Sequence, residues 1–382
     1  MRCWPLVLVI FGGSVLLGIH LVKPAHEVKE VSVFTTKTEV VGKTDTTLQE
    51  LLSGVPPPRT EADNARYLPS PVEAHWLASP KVGQICQTGL AQAPQAAIWT
   101  NYSKRVFHPA IKPYAPMSNA ESEVMSSIWT NGRMQPIEPL SGVGRHPQFC
   151  QGDNRSIDGR FLYDITYLLP QNECTEAGTP RYPKQKKIYF DLGCTMFGSL
   201  NATAASGRNP SMPLFINMYA ERCIDFDEVY GWEGKVQNPA AWWKNVPVEW
   251  RHKVHFYNVF VEEESYEATH ANEYRAEKSD ASFLKMLPLV AKESDLVVLK
   301  LDIDGGPELQ IVETIANRPD LYVLIDEMYF EYHYWYDGIY FGWNETINDG
   351  AMPRSATSFN VDTALAIFDK LRRAGIRVHF WI

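Results

Sequence analysis

The stretch VVLKLDIDGG, residues 297–306, combines the pattern of a buried strand with two carboxylates at its end. An apolar run, typical of a strand buried on both faces, ends on Asp302 and Asp304, and two glycines follow. Because side chains alternate along a strand, the two carboxylates lie on one face, which they share with Lys300. Carboxylates in apolar surroundings are costly unless they are paired or bound to a cation. The stretch therefore predicts either a binding site at the end of a strand or a helix cap with an ion-pair partner.

Strand and helix patterns alternate on both sides of this stretch, from residue 184 to residue 382. The predicted strands are KKIYFDLGC, FDEVYGWE, KVHFYNVFV, DLVVLKLDID, LYVLIDEMYF and IRVHFWI. Helices are predicted over residues 282–290 and 306–319 and over VDTALAIFDKLRRAG. This alternation predicts an α/β domain with a mostly parallel sheet and helices on both faces. In such a sheet, ligands bind beyond the carboxyl ends of the strands.

Four segments precede this domain. Residues 1–3 form a short tail, and residues 4–22, WPLVLVIFGGSVLLGIHLV, contain no Lys, Arg or carboxylate. This apolar run is long enough to cross a bilayer as a signal anchor, and a cleaved signal peptide is the alternative. Residues 23–65 are polar and predict a flexible stem. Residues 66–183 predict an extension that packs on the main domain, with a helix from Asn119 to Gly132.

Composition limits the classes of partner. The 382 residues include 36 Lys and Arg against 45 Asp and Glu, a net charge of −9 without a basic block. We therefore expect no binding to nucleic acid, because contacts with phosphates need clustered cations. The six cysteines lack zinc spacing, and one or two disulfides are expected, Cys150 with Cys174 first. Four glycosylation sequons indicate that most of the chain lies outside the cytosol. They begin at Asn101, Asn154, Asn201 and Asn344.

The first two predicted strands end in residues that suit a nucleotide-type cofactor. The first ends at Asp191 and is followed by Gly193 and Gly198, whose lack of side chains permits close backbone approach. The second ends at Glu233, which could accept hydrogen bonds from ribose hydroxyls. An ordinary strand-to-turn glycine and a solvated glutamate are the alternatives.

The fourth and fifth predicted strands end in candidate catalytic residues. Asp302 and Asp304 follow the fourth strand, and Glu331 and His333 follow the fifth. Adjacent parallel strands would bring Asp304 and Glu331 within reach of each other. Together with His333 they could perform acid–base chemistry or bind a divalent metal. The competing interpretation is a packed, aromatic edge of the core.

The segments IYFDLGCTMFG, FDEVYGWE, VVLKLDIDGGPELQIV and VLIDEMYFEYH resemble the FkbM-type S-adenosylmethionine-dependent methyltransferases. The resemblance covers residues 184–382, and it is closer to membrane-anchored eukaryotic relatives of that family. It implies a Rossmann-like methyltransferase fold with S-adenosylmethionine as the cofactor. It also implies roles for particular residues: cofactor binding by Asp191, Gly193, Gly198 and Glu233, and catalysis by Asp302, Asp304, Glu331 and His333.

Three functions follow as alternatives. The first is a single-pass membrane O-methyltransferase, with its catalytic domain in the lumen of the Golgi or endoplasmic reticulum, acting on a small-molecule or glycan hydroxyl. The second is a secretory-pathway glycosyltransferase that uses residues 302–304 as a metal-binding D-x-D. The third is a non-catalytic binding protein that keeps the fold, an alternative supported by a glycine motif one residue longer than the family's usual spacing.

Overall fold

The computed structural model describes residues 10–11, 14–15, 54, 66–78, 93–107, 113–140, 165–198, 211–235, 237–261, 282–303, 306–332 and 361–381. The chain divides into two compact units, Met1–Thr44 and Asp45–Ile382. The described residues of the first unit form two short antiparallel strands, β1 (Ile10–Phe11) and β2 (Ser14–Val15). The rest of the expected membrane anchor, and the stem apart from Gly54, lie outside the described residues. None of the helices in the described ranges is long and apolar enough to span a bilayer.

The second unit opens with a small antiparallel sheet and three helices. Its elements are β3 (Tyr67–Leu68), α1 (Pro71–Leu77), α2 (Ala93–Phe107), α3 (Asn119–Val124), β4 (Ser126–Thr130) and β5 (Arg133–Ile137). Strand β4 lies between β3 and β5.

The helix predicted from Asn119 to Gly132 was wrong beyond Val124. Ser118, not Asn119, caps this helix, by accepting a hydrogen bond from the backbone N–H of Glu121. Residues 126–137 instead form the β4–β5 hairpin, whose turn places both Asn131 and Gly132 at positive φ. An Asn-Gly pair is the strongest short signal for such a turn, and it overrides the helical pattern before it.

The main sheet follows as a regular alternation of strands and helices. Its elements are β6 (Lys187–Leu192), α4 (Ser211–Ala220), β7 (Glu228–Trp232), α5 (Pro239–Lys244), β8 (Val254–Tyr257), α6 (Phe283–Val290), β9 (Leu296–Leu301), α7 (Gly306–Asn317), α8 (Pro319–Tyr322), β10 (Glu327–Phe330), α9 (Val361–Arg373) and β11 (Arg377–Phe380). The fifth strand was predicted from Leu321 but begins at Glu327, because Pro319 starts the short helix α8.

The six strands of this sheet are all parallel, in the order β11-β10-β9-β6-β7-β8. The α/β fold with a parallel sheet is thus confirmed. The chain winds outward in one direction from β6 and in the other from β9, so these two central strands meet at a topological switch point. Ligands of doubly wound sheets bind beyond the carboxyl ends of the strands at such a point.

Helices cover both faces of the sheet. Ile188, Phe190 and Leu192 pack on the face covered by α6, α7 and α9. The alternate residue Tyr189 packs with Val298 on the other face, under α2, α4 and α5. Asp191 lies two residues after Tyr189, and Lys300 lies two residues after Val298. Both therefore face the α4 side of the sheet.

A buried network of charges joins the extension to the sheet. In this network Nδ1 of His379 lies 2.5 Å from Oε1 of Glu138, and Nε2 lies 2.8 Å from Oε1 of Glu327. Arg377 donates from Nε to Glu327 at 3.2 Å, and Arg372 donates from Nη1 to the backbone oxygen of Glu138 at 2.8 Å. Because ionised carboxylates only accept hydrogen bonds, both ring nitrogens of His379 carry protons.

The ionisation of these groups follows from their pairing. Burial alone would lower the pKa of His379, but Glu138 and Glu327 raise it above its usual value. Burial alone would raise the pKa of Glu138, but His379 and Arg372 lower it to about 2. The network is therefore charged near neutral pH, and each carboxylate has a cationic partner.

The expected pairing of Cys150 with Cys174 was wrong for Cys174, which forms a disulfide with Cys223 across 49 residues. Cys150 lies outside the described residues. The disulfide joins the segment before β6 to the turn after α4. Of the four sequon asparagines, Asn101 is described, and it is exposed on α2.

Candidate functional site

The turn after β6 packs directly against the end of β9. Gly193 has a φ of +83°, and a Cβ added there would lie 1.7 Å from the backbone oxygen of Asp302. The backbone N–H of Asp302 donates to the oxygen of Leu192 at 3.1 Å, which fixes this approach. Gly193 and Cys194 both donate to the oxygen of Trp232, at 2.9 and 3.0 Å. The glycine is thus required by contact between two strand ends, a reason that the motif alone did not reveal.

Lys300 is the centre of the polar contacts at the switch point. Its ammonium lies 2.9 Å from Oδ2 of Asp302 and 3.5 Å from Oδ1 of Asp191, and it donates to the oxygen of Gly193 at 3.1 Å. Its side chain is only 2% exposed. Burial alone would lower the pKa of Lys300, but Asp302 and Asp191 raise it. The charged ammonium therefore links the ends of two neighbouring strands, by a hydrogen bond to Gly193 and ion pairs with Asp302 and Asp191.

Asp191 is fully buried rather than open to a ligand. Its Oδ2 accepts a hydrogen bond from Ser211 at the start of α4, at 2.7 Å. Burial raises the pKa of Asp191, and Lys300 opposes that rise. In this geometry Asp191 holds Lys300 and α4 in place, and it contributes to the site through them.

Asp302, Glu308 and Glu331 form an acidic cluster beside Lys300, with one oxygen from each lying within 4.8 Å of the others. The Asp302 side chain is 27% exposed, and its Oδ2 also accepts from Nε1 of Trp381 at 3.1 Å. Burial and the neighbouring Glu331 charge raise the pKa of Asp302, and Lys300 opposes that rise. The nearby Glu331 carboxylate therefore disfavours ionisation of Asp302.

Glu233 follows β7 and holds the turn after Gly193. Its two carboxylate oxygens accept from the backbone N–H of Lys235 at 2.6 Å and of Thr195 at 2.9 Å. Thr195 has a φ of +48°, unfavourable for a β-branched residue, and its carbonyl accepts from Trp242 at 3.1 Å. Burial raises the pKa of Glu233, and these backbone N–H groups oppose that rise. Each oxygen retains a second lone pair, so the carboxylate has a fixed orientation and can still accept further hydrogen bonds.

The structure brings most of the predicted site residues to one edge of the sheet. Five of them lie at the carboxyl ends of β6, β7, β9 and β10: Asp191, Gly193, Glu233, Asp302 and Glu331. Gly198 is half-buried five residues after the Gly193 turn. Asp304 and His333 lie outside the described residues, so their predicted roles, including metal binding with Glu331, stay predictions.

Sequence reasoning missed two residues of this site. Glu308 accepts from the backbone N–H of Ile303 at 2.6 Å, and its place in the first turn of α7 could have indicated such a cap. Trp381 follows β11, at the far edge of the sheet, and no local pattern links it to Asp302.

The site carries an excess of negative charge. Five carboxylates, those of Asp191, Glu233, Asp302, Glu308 and Glu331, are at least partly buried around it. Lys300 pairs with two of them, Asp191 and Asp302. Such an arrangement attracts a cation and disfavours an anion that arrives without one.

Comparison of the chain with protein-family models found no match. Comparisons with curated proteins and with solved structures found no significant match either.

Proposed function

We propose that the protein binds S-adenosylmethionine at the switch point and transfers its methyl group to an acceptor hydroxyl. The observation that carries the proposal is the acidic cluster at the carboxyl edge, next to the Gly193 turn and Glu233. S-adenosylmethionine carries a positive sulfonium, which this field stabilises. A sugar diphosphate is an anion and needs a bound metal before these carboxylates can accept it.

The residues present fit such a cofactor in two respects. Glu233 has an oriented carboxylate at the end of β7, where doubly wound sheets bind ribose hydroxyls. The backbone N–H groups of residues 193–195 all donate hydrogen bonds, two to the oxygen of Trp232 and one to the Glu233 carboxylate, so the turn is rigid. The lack of a side chain at Gly193 does not count as support, because contact with Asp302 already requires it.

When bound, the cofactor supplies an electrophilic methyl group. Asp302 and Glu331 then provide a carboxyl pair that accepts the proton released by the acceptor hydroxyl. Lys300 and Trp381 fix the orientation of Asp302 from two sides. The main contribution of the chain is alignment of the methyl group and the acceptor oxygen.

We further propose that the catalytic unit lies outside the cytosol, anchored by residues 4–22. The disulfide between Cys174 and Cys223 supports an oxidising compartment, where such bonds persist. The exposed Asn101 supports it as well, since this side chain is the acceptor of a glycosylation sequon.

The experiment is calorimetry on the full chain with three ligands: S-adenosylmethionine, its demethylated product S-adenosylhomocysteine, and a sugar nucleotide with and without manganese. The two adenosyl ligands differ in the sulfonium charge. We expect Glu331→Gln to weaken binding of the charged donor about fivefold or more, with little change for the neutral product. Asp320→Asn, at a fully exposed carboxylate remote from the site, is the matched control.

Three outcomes contradict the proposal. Equal losses for both adenosyl ligands in Glu331→Gln would remove the electrostatic argument. Manganese-dependent binding of the sugar nucleotide alone would put the glycosyltransferase in its place. A folded protein that binds none of the three ligands would leave the non-catalytic alternative.

A further inference from the structure

One face of the small sheet formed by β3, β4 and β5 is apolar and only partly covered. The register of the strands places five residues on this face: Leu68, Ser127, Trp129, Met134 and Pro136. The opposite face holds Tyr67, Ile128 and Ile137, which are buried. Leu68 is 50% exposed, and the other four residues of its face are half-buried. Since none of the five is charged, this surface, here called the hairpin face, suits an apolar partner.

Gly54 lies close to one end of the hairpin face. It is buried, and its carbonyl oxygen accepts a hydrogen bond from the backbone N–H of Lys184 at 3.0 Å. The next residue, Gln185, donates from Nε2 to Oδ1 of Asn131 at 3.2 Å. Asn131 lies in the β4–β5 turn, where the hairpin face ends. The chain that leads to Gly54 therefore arrives beside this face.

The residues before Gly54 have the sequence signature of a short amphipathic helix. In LQELLS, residues 48–53, the three leucines have the spacing of one helix face. Thr47 precedes this segment and is followed three residues later by Glu50, which is the pattern of a capping box. Gly54 has a φ of +69°, the left-handed conformation in which a glycine ends many helices. A signal for a helix start and a signal for a helix end therefore flank residues 48–53.

A helix of this length needs a packing partner. Isolated helices of fewer than about 12 to 15 residues are marginal in water, and residues 48–53 form less than two turns. Asp45 begins the second compact unit, so the segment belongs with the sheets and not with Met1–Thr44. Its leucines therefore need an apolar surface within reach of Gly54, and the hairpin face is such a surface.

We propose that residues 48–53 form a helix that docks its three leucines on the hairpin face. Contact of the leucines with Trp129 and Met134 removes apolar surface from water on both sides, which offsets the cost of ordering the segment. The flexible part of the predicted stem then ends near Thr47 rather than at residue 65. This proposal does not depend on the proposed enzymatic activity.

A second copy of the chain is a poorer occupant of the hairpin face. A stable interface between proteins buries roughly 800 Å² on each partner, contributed by about 20 to 30 residues. The hairpin face offers five residues. A single short helix is a better match to its size.

Digestion of the full chain in mild detergent with a glutamate-specific protease tests the docking. Cleavage requires local unfolding of the segment, so a docked helix protects the bond after Glu50. The free peptide of residues 43–57 has the same bond in the same sequence and gives the unprotected rate, because it is too short for a stable helix. We expect the protein to be cleaved after Glu50 about tenfold or more slowly than the peptide, measured by mass spectrometry. Equal rates would overturn the proposal.

Three variants locate the docking surface. Met134→Ser and Leu68→Ser each remove an apolar side chain from the hairpin face, and each should accelerate cleavage after Glu50 about fivefold or more. Leu68 is half-exposed, so its replacement keeps the test valid even if Met134→Ser does not fold. Leu289→Ser, at a leucine of α6 that is 78% exposed and lies outside the hairpin face, should behave like the wild type.

Two further outcomes contradict the proposal. If both hairpin-face variants keep the wild-type rate, or if Leu289→Ser alone exposes Glu50, the helix docks elsewhere. If the protection of Glu50 is lost on dilution of the wild type, the segment is covered by a second copy of the chain.

Discussion

Replacing Gly193 by alanine should destabilise the fold much more than replacing Gly375, although both residues have left-handed backbones. Their φ angles are +83° and +94°, so an alanine at either position has a backbone cost of about 1–2 kcal/mol. The surroundings differ. At Gly375 the atom nearest to the new Cβ is Cδ of Arg66 at 3.1 Å, in a flexible side chain that can move. At Gly193 it is the backbone oxygen of Asp302 at 1.7 Å.

The size of the effect follows from what must move. Relief of the clash at Gly193 separates the ends of β6 and β9 by roughly an ångström, since nonbonded atoms repel steeply at shorter distances. This movement stretches the hydrogen bond from Asp302 to Leu192, now 3.1 Å, and the contacts of Lys300 with both strand ends. Disruption of a buried ion pair alone costs about 3–5 kcal/mol. We therefore expect Gly193→Ala to lose about 4 kcal/mol or more, against about 1–2 kcal/mol for Gly375→Ala.

Urea unfolding of the two variants and the wild type, followed by circular dichroism, measures these losses. If Gly193 served only to admit a cofactor, its replacement would cost no more stability than that of Gly375 and would weaken donor binding alone. Equal losses of stability in the two variants would therefore refute the contact-based reasoning.

Three further predictions concern the buried charges, the turn and the disulfide. His379→Asn should cost about 3–5 kcal/mol near pH 5 to 6 in urea unfolding; this loss should shrink as the pH rises through the raised pKa of His379, because its charge stabilises the fold only while it is protonated. A loss that grows with pH would contradict the charged assignment. Glu233→Gln should weaken S-adenosylmethionine binding about ten- to hundredfold in calorimetry, since a charge-assisted hydrogen bond contributes about 1.5–3 kcal/mol, and unchanged affinity would exclude ribose binding there. Replacing Cys174 and Cys223 together by serine should cost about 4 kcal/mol for a loop of 49 residues, and dithiothreitol should produce a similar loss in the wild type but none in the variant.

The sheet could be predicted because its strands have local signals. Apolar runs ending in turn residues placed β6, β7, β8, β9 and β11 correctly, since parallel strands are buried on both faces and their sequences show it. The start of β10 was missed because an apolar run continues through α8, where Pro319 rather than hydrophobicity decides the structure. The β4–β5 hairpin was missed because Gly132 also fits the end of a helix, whereas the Asn131–Gly132 pair forms the turn.

The site was less predictable, because its contacts join distant parts of the sequence. The carboxyl ends of parallel strands lie at the same edge of a sheet. The gathering of carboxylates at that edge could therefore be predicted from the sequence. The contact of Trp381 with Asp302 spans 79 positions, and that of His379 with Glu138 spans 241. Such pairs depend on strand order, which local patterns do not specify.

The contacts of Lys300 bear on the choice between a methyl donor and a metal-bound diphosphate. One ammonium contacts Asp191, Gly193 and Asp302, so the Gly193 turn and Asp302 cannot move independently. A rigid unit of this kind suits methyl transfer, where alignment of two reactants is the main task. A metal site needs carboxylate oxygens free to turn toward the ion, but Oδ2 of Asp302 already accepts from both Lys300 and Trp381. Metal binding by Asp302 would have to break these contacts or use the other carboxylate oxygen alone. A sulfonium requires only the negative electrostatic field that the acidic cluster already provides.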